Sequence, residues 1–372
     1  MNTLTTTSDA ALRLIQAGAG GMGRNWLRVI AANPSAELVG LVDLNTEVAR
    51  AAATEAGFPD LPVGTSVSEL AAATGAQAVI NVTVPVAHHP VTVEALAAGL
   101  PVLCEKPAAP TVAQALSLAA HAEATGQLLM ISQSRRYFRS LEQLRAVARD
   151  LGTVGVITTE FFKAPHFGGF REEMDHVLLV DMAIHPFDAV RYLSGQEPVS
   201  VYCEEYNPVW SWFRGNAAAS AIFEFTGGLR YTYAGSWCSD GEETSWNGRW
   251  RVNGSEGTAL WDGVDAPTVQ RRGKVAGVVP EPSTEAEEIA GSLEEFLSAL
   301  RTGSTPSGEI HSNIWSLAMV EAAVLSAETG SRVFLDDVMT AAYRQALEAE
   351  RDPAAREALE SWGSATKRLS VR

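Results

Sequence analysis

The sequence predicts an α/β protein with two domains, a parallel sheet with helices in residues 1–134 and an α+β domain in residues 135–372. Up to about Ser132, strand-like apolar runs alternate with Ala-rich helical stretches, as in a parallel sheet covered on both faces. After Asp150 the runs are longer, alternate in polarity and are rich in aromatic and β-branched residues, which favours a largely antiparallel sheet. A chain of 372 residues is long enough for two cores.

Each element of the first domain follows from this alternation. Met1–Ala10 is Thr-rich and is expected to be a short frayed tail. Glycine follows several helical stretches directly, at Gly57, Gly99 and Gly126, where a left-handed cap favours it. The predicted strands are Leu12–Ala17, Ala36–Val42, Ala78–Val84, Pro101–Cys104 and Leu128–Ser132, and the predicted helices are Arg24–Ala32, Thr46–Ala56, Pro90–Ala98 and Thr111–Thr125.

The first strand runs into a G-x-G-x-x-G motif formed by Gly18, Gly20 and Gly23, with Gly21 and Met22 between the last two glycines. Gly18 permits a tight turn, Gly20 lets the backbone approach a pyrophosphate, and Gly23 lets the helix pack closely on its strand. Phosphates then bind the free N–H groups at the start of the helix. The motif predicts a Rossmann dinucleotide-binding domain.

The second strand ends at Asp43, 20 residues beyond Gly23. An acid at this place typically accepts hydrogen bonds from the adenosine ribose and repels a 2′-phosphate. No neighbouring cation follows in Leu44 and Asn45, so NAD is favoured over NADP. The alternative is that Asp43 is only a turn residue or a helix N-cap.

Composition excludes several classes of function. The net charge is −16 and no basic run is present, which disfavours nucleic acid as a partner. Neither a membrane span nor a signal peptide is visible. Three widely spaced cysteines support neither a disulfide framework nor a zinc site, so no metal is predicted and a cytoplasmic location is expected.

The second domain is predicted to mix strands and helices, with turns at Thr226-Gly227-Gly228 and Asn253-Gly254 and a surface loop over Gly263–Ser283. Pro186 falls inside one helical segment and predicts a kink or a helix start there. The predicted strands are Val154–Phe162, Val199–Glu205, Ala218–Phe225, Arg230–Trp237, Arg249–Val252 and Thr258–Asp262, and the predicted helices are Arg135–Asp150, Val177–Leu193, Ala290–Thr302 and Asn313–Gly330.

Two groups of residues have the chemistry to move a hydride. Lys106 follows a strand at the edge where open α/β sheets bind ligands, and Pro107 restricts its backbone to an extended form. Asp181 and His185 are four residues apart and share a face if their segment is helical. Alcohol oxidation needs a base such as His185, a cation such as Lys106 and a group such as Asp181 that orients the base. The alternatives are a solvated loop lysine and a buried structural Asp–His pair.

With these motifs in this order, the chain resembles the Gfo/Idh/MocA oxidoreductase family over nearly its whole length. The resemblance rests on Gly18–Gly23, on Glu105-Lys106-Pro107, and on Asp181-x-x-x-His185-Pro186 with Asp188 following. It implies an open antiparallel sheet in the second domain, NAD(P)-dependent sugar or polyol oxidation, and dimers or tetramers. It also implies catalytic roles for Lys106, Asp181 and His185.

The resemblance further places Thr83, Pro85, His89, Glu105 and Lys106 beside the cofactor. Val84 departs from the family, where many members have Thr before that proline. A second departure is Gln133-Ser134, where Asn is frequent. His89 has an alternative interpretation as a residue of a helix N-terminus beside Pro90.

Substrate contacts are predicted from Tyr137, Lys163, His166 and Arg171 together with His185, because the loop Ala164–Phe170 precedes the catalytic segment. A solvated loop is the alternative. Two other functions remain open at this point. One is an NAD-retaining enzyme that uses transient oxidation for elimination or epimerisation, and the other is a non-catalytic sugar or dinucleotide sensor.

Overall fold

A computed structural model of the chain describes residues 10–370. The tail predicted for Met1–Ala10 therefore lies, apart from Ala10, outside the described residues. The described chain forms two compact units. The first contains the chain up to Ser134, Ala286–Ile314 and the chain from Thr340 onward, and the second contains Arg135–Glu285 and Trp315–Met339.

Within residues 10–370, the first unit contains a six-stranded sheet in the order β3-β2-β1-β4-β5-β6, and its paired strands are parallel. The reversal of strand order between β1 and β4 is the place where open parallel sheets bind ligands. The predicted Rossmann sheet is confirmed. Its strands are β1 (Leu12–Ala17), β2 (Ala36–Val42), β3 (Val63–Gly64), β4 (Ala78–Asn81), β5 (Val102–Glu105) and β6 (Leu129–Ser132).

Helices pack along these strands, and one of them, Val67–Thr74, was not among those predicted. Two of the others begin earlier than predicted. The first helix begins at Gly21, inside the glycine motif, rather than at Arg24. The fourth begins at Pro85 rather than Pro90, because Pro85 suits the first helical position, and Pro90 lies inside the helix. The bounds are α1 (Gly21–Ala32), α2 (Thr46–Glu55), α3 (Val67–Thr74), α4 (Pro85–Ala97) and α5 (Val112–Thr125).

The first unit also contains chain from beyond residue 285. A single boundary after residue 134 does not include this return, and the last three helices were not predicted. The helices of this part of the chain are α8 (Glu288–Thr302), α9 (Ile310–Thr329), α10 (Leu335–Ala349), α11 (Pro353–Trp362) and α12 (Ala365–Ser370), and the units divide within α9 and α10.

Within the described residues, no helix is long and apolar enough to cross a membrane.

Glu123 in α5 is the polar anchor for these C-terminal helices. Its carboxylate accepts hydrogen bonds from Trp362 Nε1 at 2.9 Å and from Arg368 Nε at 3.0 Å. His311 Nε2 lies 2.6 Å from the same carboxylate, and His311 Nδ1 lies 2.6 Å from Glu309. One acidic side chain therefore joins α5 to α9, α11 and α12.

Within the described chain, the second unit is built on a nine-stranded sheet in the order β14-β13-β12-β11-β7-β10-β9-β8-β15. Its pairs are antiparallel apart from β7 with β10, which confirms the mostly antiparallel prediction. The strands are β7 (Val154–Phe162), β8 (Pro198–Tyr206), β9 (Ala218–Phe225), β10 (Arg230–Ser236), β11 (Arg249–Gly254), β12 (Gly257–Trp261), β13 (Thr268–Arg271), β14 (Val275–Ala276) and β15 (Val333–Phe334).

Three local predictions for this unit need correction. The loop predicted over Gly263–Ser283 contains β13 and β14, because the alternation of Thr268–Arg271 is too short to stand out from its Gly- and Pro-rich surroundings. The turn predicted at Asn253-Gly254 lies at Ser255 and Glu256, since β11 continues through Gly254. The helix predicted over Arg135–Asp150 is a 3₁₀ turn, Ser134–Tyr137, followed by α6 (Arg139–Arg149).

One face of the sheet is buried under α7 (Ile184–Ser194) and is rich in aromatic side chains. The Phe187 ring packs edge-on against Phe223 at 4.8 Å and Tyr233 at 5.4 Å between ring centroids. Burial of such side chains contributes about 1.5–3 kcal/mol each to folding. The segment predicted as helical over Val177–Leu193 is a π-helical turn, Leu178–Ala183, followed by α7. The change from π to α geometry at Ile184 lies two residues before Pro186, where a kink or a helix start was predicted.

The His311 anchor predicts a loss of stability at high pH. Burial lowers the pKa of His311, but hydrogen bonds to Glu123 and Glu309 outweigh it and raise the pKa to about 9. The stabilisation is therefore complete below the ordinary histidine pKa and is lost as the pH rises through about 9. We expect His311→Gln to lower the free energy of unfolding by about 1–3 kcal/mol at pH 7. Denaturant titrations should show this difference shrinking toward pH 10, and a constant difference would contradict the assignment.

Candidate active site

The glycine motif forms a tight turn at the carboxyl end of β1, and it is closed by Gln16. The Gln16 Nε2 group donates to Gly18 O at 2.7 Å and to Gly23 O at 2.9 Å. A Cβ at Gly18, where φ is +102°, would lie 2.4 Å from Val82 O, and a Cβ at Gly23 would lie 2.4 Å from Gly18 O. Sequence reasoning missed Gln16, although a polar residue between Ile15 and Ala17, directly before the glycine motif, was a usable signal.

Gly20 differs from its neighbours because a Cβ there would meet no atom within 4 Å. Gly20 also precedes α1, which has no side chain capping its first N–H groups. An uncapped helix start beside a glycine with open space is a suitable cradle for a pyrophosphate. This geometry fits the dinucleotide predicted for Gly18, Gly20, Gly21, Met22 and Gly23.

Asp43 follows β2 and contacts the same turn. Its Oδ2 accepts from Ala19 N at 2.9 Å and its Oδ1 accepts from Asn45 N at 2.9 Å. The N-cap of α2 is Asn45, whose side chain accepts from Glu47 N and Val48 N, so the alternative role of Asp43 as an N-cap is wrong. Asp43 therefore joins the end of β2 to the glycine turn, and its half-buried carboxylate remains beside the predicted ribose position.

Exposed apolar side chains of the first unit concentrate at this edge of the sheet. Large apolar side chains are normally scarce on an open surface, and a local group of them marks a binding site. An adenine or nicotinamide ring offers a flat apolar face to such a group. Within the described part of the unit, those exposed are Met22, Leu44, Val48, Val84 and Val86, all of which follow the carboxyl ends of strands.

The loop after β4 contains Thr83, whose N and Oγ1 both donate to Asn81 Oδ1, at 3.3 and 2.7 Å. The predicted cofactor residue His89 instead places its Nε2 3.1 Å from Ser117 Oγ in α5, and Ser117 in turn donates to Glu350. Burial lowers the pKa of His89, and His121 lowers it further. His89 thus belongs to a polar network between helices, while the preceding residue, His88, contacts the loop.

Lys106 directly follows β5 and is held by its neighbour Glu105. One Glu105 oxygen accepts from Trp26 Nε1 at 2.9 Å, and the other accepts from Lys106 N at 3.0 Å. Burial raises the pKa of Glu105, against the hydrogen bonds that lower it. Both carboxylate oxygens are therefore engaged within the protein, so the structure places Glu105 as a support for Lys106. Trp26, which sequence reasoning missed, links this support to α1.

In the second unit, Asp181 lies in the π-helical turn that precedes α7. Its Oδ2 is 2.5 Å from Arg171 Nε. The Arg171 guanidinium lies 5.2 Å from the Phe167 ring centroid and 4.9 Å from that of Phe170, which is within cation–π range. Arg171 was predicted to contact substrate, whereas the structure pairs it with a predicted catalytic carboxylate.

His185 begins the next turn and lines a small cavity within this unit together with Arg135, Thr159, Met182 and Trp246. Asp188, which follows the Asp181–His185 motif, holds the first half of α7. Its two carboxylate oxygens accept hydrogen bonds from Arg136 Nε at 2.7 Å and Arg136 Nη2 at 2.6 Å, and Ser316 Oγ donates to one of them. This buried network holds the helix that carries His185.

The other predicted substrate residues are spread over the loops of the second unit. Lys163 Nζ lies 2.5 Å from Glu243 Oε2 and 5.2 Å from the Trp246 ring centroid. His166 stacks on Trp212 with centroids 3.8 Å apart. Tyr137 lies in the 3₁₀ turn before α6. Lys163 and His166 thus pack against an aromatic group that also contains Phe167 and Trp246.

Two family models match the sequence of this chain. A sequence model described as an oxidoreductase family with an NAD-binding Rossmann fold matches residues 12–133. A model of the GFO/IDH/MocA C-terminal domain matches residues 142–260. The chain belongs to the Gfo/Idh/MocA oxidoreductase family. It is an oxidoreductase, and its first domain is of the NAD-binding type.

Two relatives in this family have named activities. The chain is 26% identical to a D-apiose dehydrogenase from Paraburkholderia graminis, over 89% of this chain and 92% of the relative. It is 30% identical to an inositol 2-dehydrogenase from Arthrobacter sp., over 51% of this chain and 56% of the relative. The second match therefore spans only about half of either protein.

A solved structure shares the fold. An oxidoreductase from Agrobacterium radiobacter, solved in complex with NAD⁺, L-tartaric acid and magnesium, superposes with a TM-score of 0.78. It covers 88% of this chain and 99% of the other at 18% sequence identity, so the likeness concerns the fold alone.

The contrast between two glycines gives a direct test of the cofactor cradle. We expect Gly20→Val to keep the melting temperature of the unliganded protein, because open space surrounds that position, but to raise the Kd for NAD about tenfold or more. Gly23→Ala serves as the comparison and should lower the melting temperature, because its Cβ would collide with Gly18 O. Thermal unfolding and calorimetric titration measure both effects. Unchanged NAD affinity in Gly20→Val would place the pyrophosphate elsewhere.

Proposed function

We propose that this protein oxidises a ring hydroxyl of a sugar, sugar derivative or cyclitol, with NAD as hydride acceptor. The observation that carries the proposal is the sheet edge of the first unit. There the carboxyl ends of the adjacent strands β1, β4 and β5 lead into the glycine turn, Thr83 and Lys106. The names of the relatives, D-apiose dehydrogenase and inositol 2-dehydrogenase, support this substrate class.

The first unit supplies the residues that would hold NAD. Gly20, Gly21 and Met22 present the start of α1 to the pyrophosphate, and Asp43 accepts from the ribose hydroxyls. Thr83 and Pro85 line the nicotinamide side, and Lys106 completes the set. When bound, NAD supplies an electrophilic carbon that takes the hydride.

The protein's own residues manage the proton and the charge. His185 accepts the proton of the substrate hydroxyl, since imidazole exchanges protons near neutral pH. Lys106 stabilises the negative charge that develops on that oxygen. Asp181 orients the imidazole and favours its charged form, and the ion pair with Arg171 at 2.5 Å keeps the Asp181 carboxylate in place.

A screen of sugars and polyols with NAD, followed at the absorbance of reduced nicotinamide, tests this proposal. A dehydrogenase accumulates reduced cofactor. An enzyme that retains NAD through elimination or epimerisation converts substrate without that accumulation, and a sensor does neither. The relatives' names do not favour either alternative. Absence of reduced cofactor with every compound bound by the protein would contradict the proposal.

Asp43 predicts a preference between cofactors. We expect NAD to bind at least tenfold more tightly than NADP, because a carboxylate near the ribose repels a 2′-phosphate. In Asp43→Asn the two affinities should become closer, mainly through weaker binding of NAD. Calorimetric titration of both cofactors on both proteins measures this. Equal affinities in the unmodified protein would remove the role assigned to Asp43.

The catalytic roles predict a loss of turnover without a loss of cofactor. Lys106→Ala and His185→Ala should each lower kcat by about 10² or more and still bind NAD, with the Kd for NAD within about twofold in His185→Ala. His176→Ala is a suitable comparison, because its ring pairs with Glu205 and it is not among the predicted site residues. Near-native kcat in His185→Ala would show that another group is the base.

We further propose that the protein is a homo-oligomer, either dimer or tetramer. The support is the face of the nine-stranded sheet opposite α7, where Val156, Tyr202, Ile222 and Leu260 are exposed. Neighbouring strands that share such apolar side chains present a surface suited to a second copy. Light scattering at low micromolar concentration should give a multiple of 39.6 kDa, and a monomeric mass would contradict this.

A further inference from the structure

One buried imidazole contacts two of the loops at the sheet edge of the first unit. His88 lies near the start of α4 and is 1% exposed. Its Nδ1 is 2.6 Å from Pro107 O, in the segment that follows Lys106, and its Nε2 is 3.0 Å from Thr83 O. No motif in the sequence distinguishes His88, and the resemblance to the family points to His89 instead.

The position of the His88 ring is itself fixed. Asn81 Nδ2 donates to His88 O at 3.1 Å, and Asn81 Oδ1 accepts from both N and Oγ1 of Thr83. On the other side, the backbone N of Lys106 donates to Glu105 Oε2. The Lys106–Pro107 segment is thus held by Glu105 before it and by His88 after it.

We propose that His88 is a positioning residue for Lys106, which holds the Lys106–Pro107 segment by donating Nδ1–H to the Pro107 carbonyl. Carbonyl oxygens only accept hydrogen bonds, and a neutral imidazole has a single N–H. The shorter of the two contacts, to Pro107, receives it. A protonated ring has two N–H groups and adds a second hydrogen bond, to Thr83 O.

The charges around His88 decide when the second bond forms. Burial lowers the pKa of His88, the two carbonyls oppose this, and Lys106 lowers the pKa further, so the result lies below the ordinary value. Of the other titratable groups nearby, Glu105 is bound to Trp26 and Lys106 N, His89 turns to Ser117, and burial raises the pKa of the Cys104 thiol. The ring is therefore neutral at pH 7, and the second bond forms only on acidification, at a cost in stability because the charge is buried.

Loss of this contact has a defined consequence. Without His88 the Pro107 carbonyl loses this donor, and the segment that carries Lys106 loses this support. A misplaced lysine affects the chemical step more than cofactor binding. The expected effect on turnover rests on the proposed function. The expected effect of His88 on the position of the Lys106 side chain is independent of that function.

The test measures the NMR signal of the Lys106 side chain itself. The chain has four lysines, so reductive methylation with ¹³C gives a simple spectrum in which Lys106→Ala identifies one signal. We expect His88→Gln to shift or broaden that signal, and the wild-type signal to move on acidification below the ordinary histidine range, as His88 takes up a proton. The matched control is His311→Gln, which also removes an imidazole between two acceptors but lies away from the sheet edge.

Two further measurements separate positioning from a merely structural role. ¹⁵N spectra of the seven histidines in the unmodified protein should show one neutral ring in the Nδ1–H form at pH 7. With an active substrate, His88→Gln should lower kcat about tenfold and leave the Kd for NAD within about twofold. If His88→Gln fails to fold, the Lys106 signal in His88→Asn and the ¹⁵N spectrum of the unmodified protein still test whether His88 positions Lys106.

An unchanged Lys106 signal in His88→Gln, or a wild-type His88 in the Nε2–H form, would overturn the proposal. These spectra need no substrate. A protein without dehydrogenase activity would therefore contradict the proposed function and leave the His88 test intact.

Discussion

The close approach of backbone to backbone at the glycine turn is the constraint on which the cofactor end of the molecule depends. Val82 O and Gly18 O occupy the space that side chains would need at Gly18 and Gly23. Because those positions stay bare, α1 can begin directly after β1 and direct its first N–H groups at the edge of the sheet. Gln16 then closes the turn from inside with two hydrogen bonds.

At the same edge, buried polar contacts hold the backbone of Lys106. Glu105 is buried, and its two oxygens are satisfied by Trp26 and by the backbone of Lys106. A buried carboxylate is costly unless it is bonded in this way, and removing one partner would leave it unsatisfied. The two hydrogen bonds of Glu105 offset the free-energy cost of burying its carboxylate, and the bond to Lys106 N fixes the backbone from which the lysine side chain extends.

In the second unit, ion pairs organise the segment around His185. Asp188 is paired with Arg136 inside the protein, and Asp181, seven residues earlier, is paired with Arg171 near the surface. The first pair anchors α7, and the second joins a loop carrying two phenylalanines to the π-helical turn. Two acids of one motif therefore have different tasks, because their burial and their partners differ.

The sequence by itself determined the parallel sheet, the glycine turn, Asp43, the Lys106 segment and the strands β7 and β9, because each depends on local periodicity or on residues close in the chain. Only the tertiary structure decided that the last helices return to the first unit, that Arg171 pairs with Asp181, and that His88 rather than His89 contacts the Lys106 segment. Adjacent histidines on a helix point in different directions, and which of them meets a distant carbonyl depends on where another strand ends. Such contacts join residues far apart in sequence, so no local pattern specifies them.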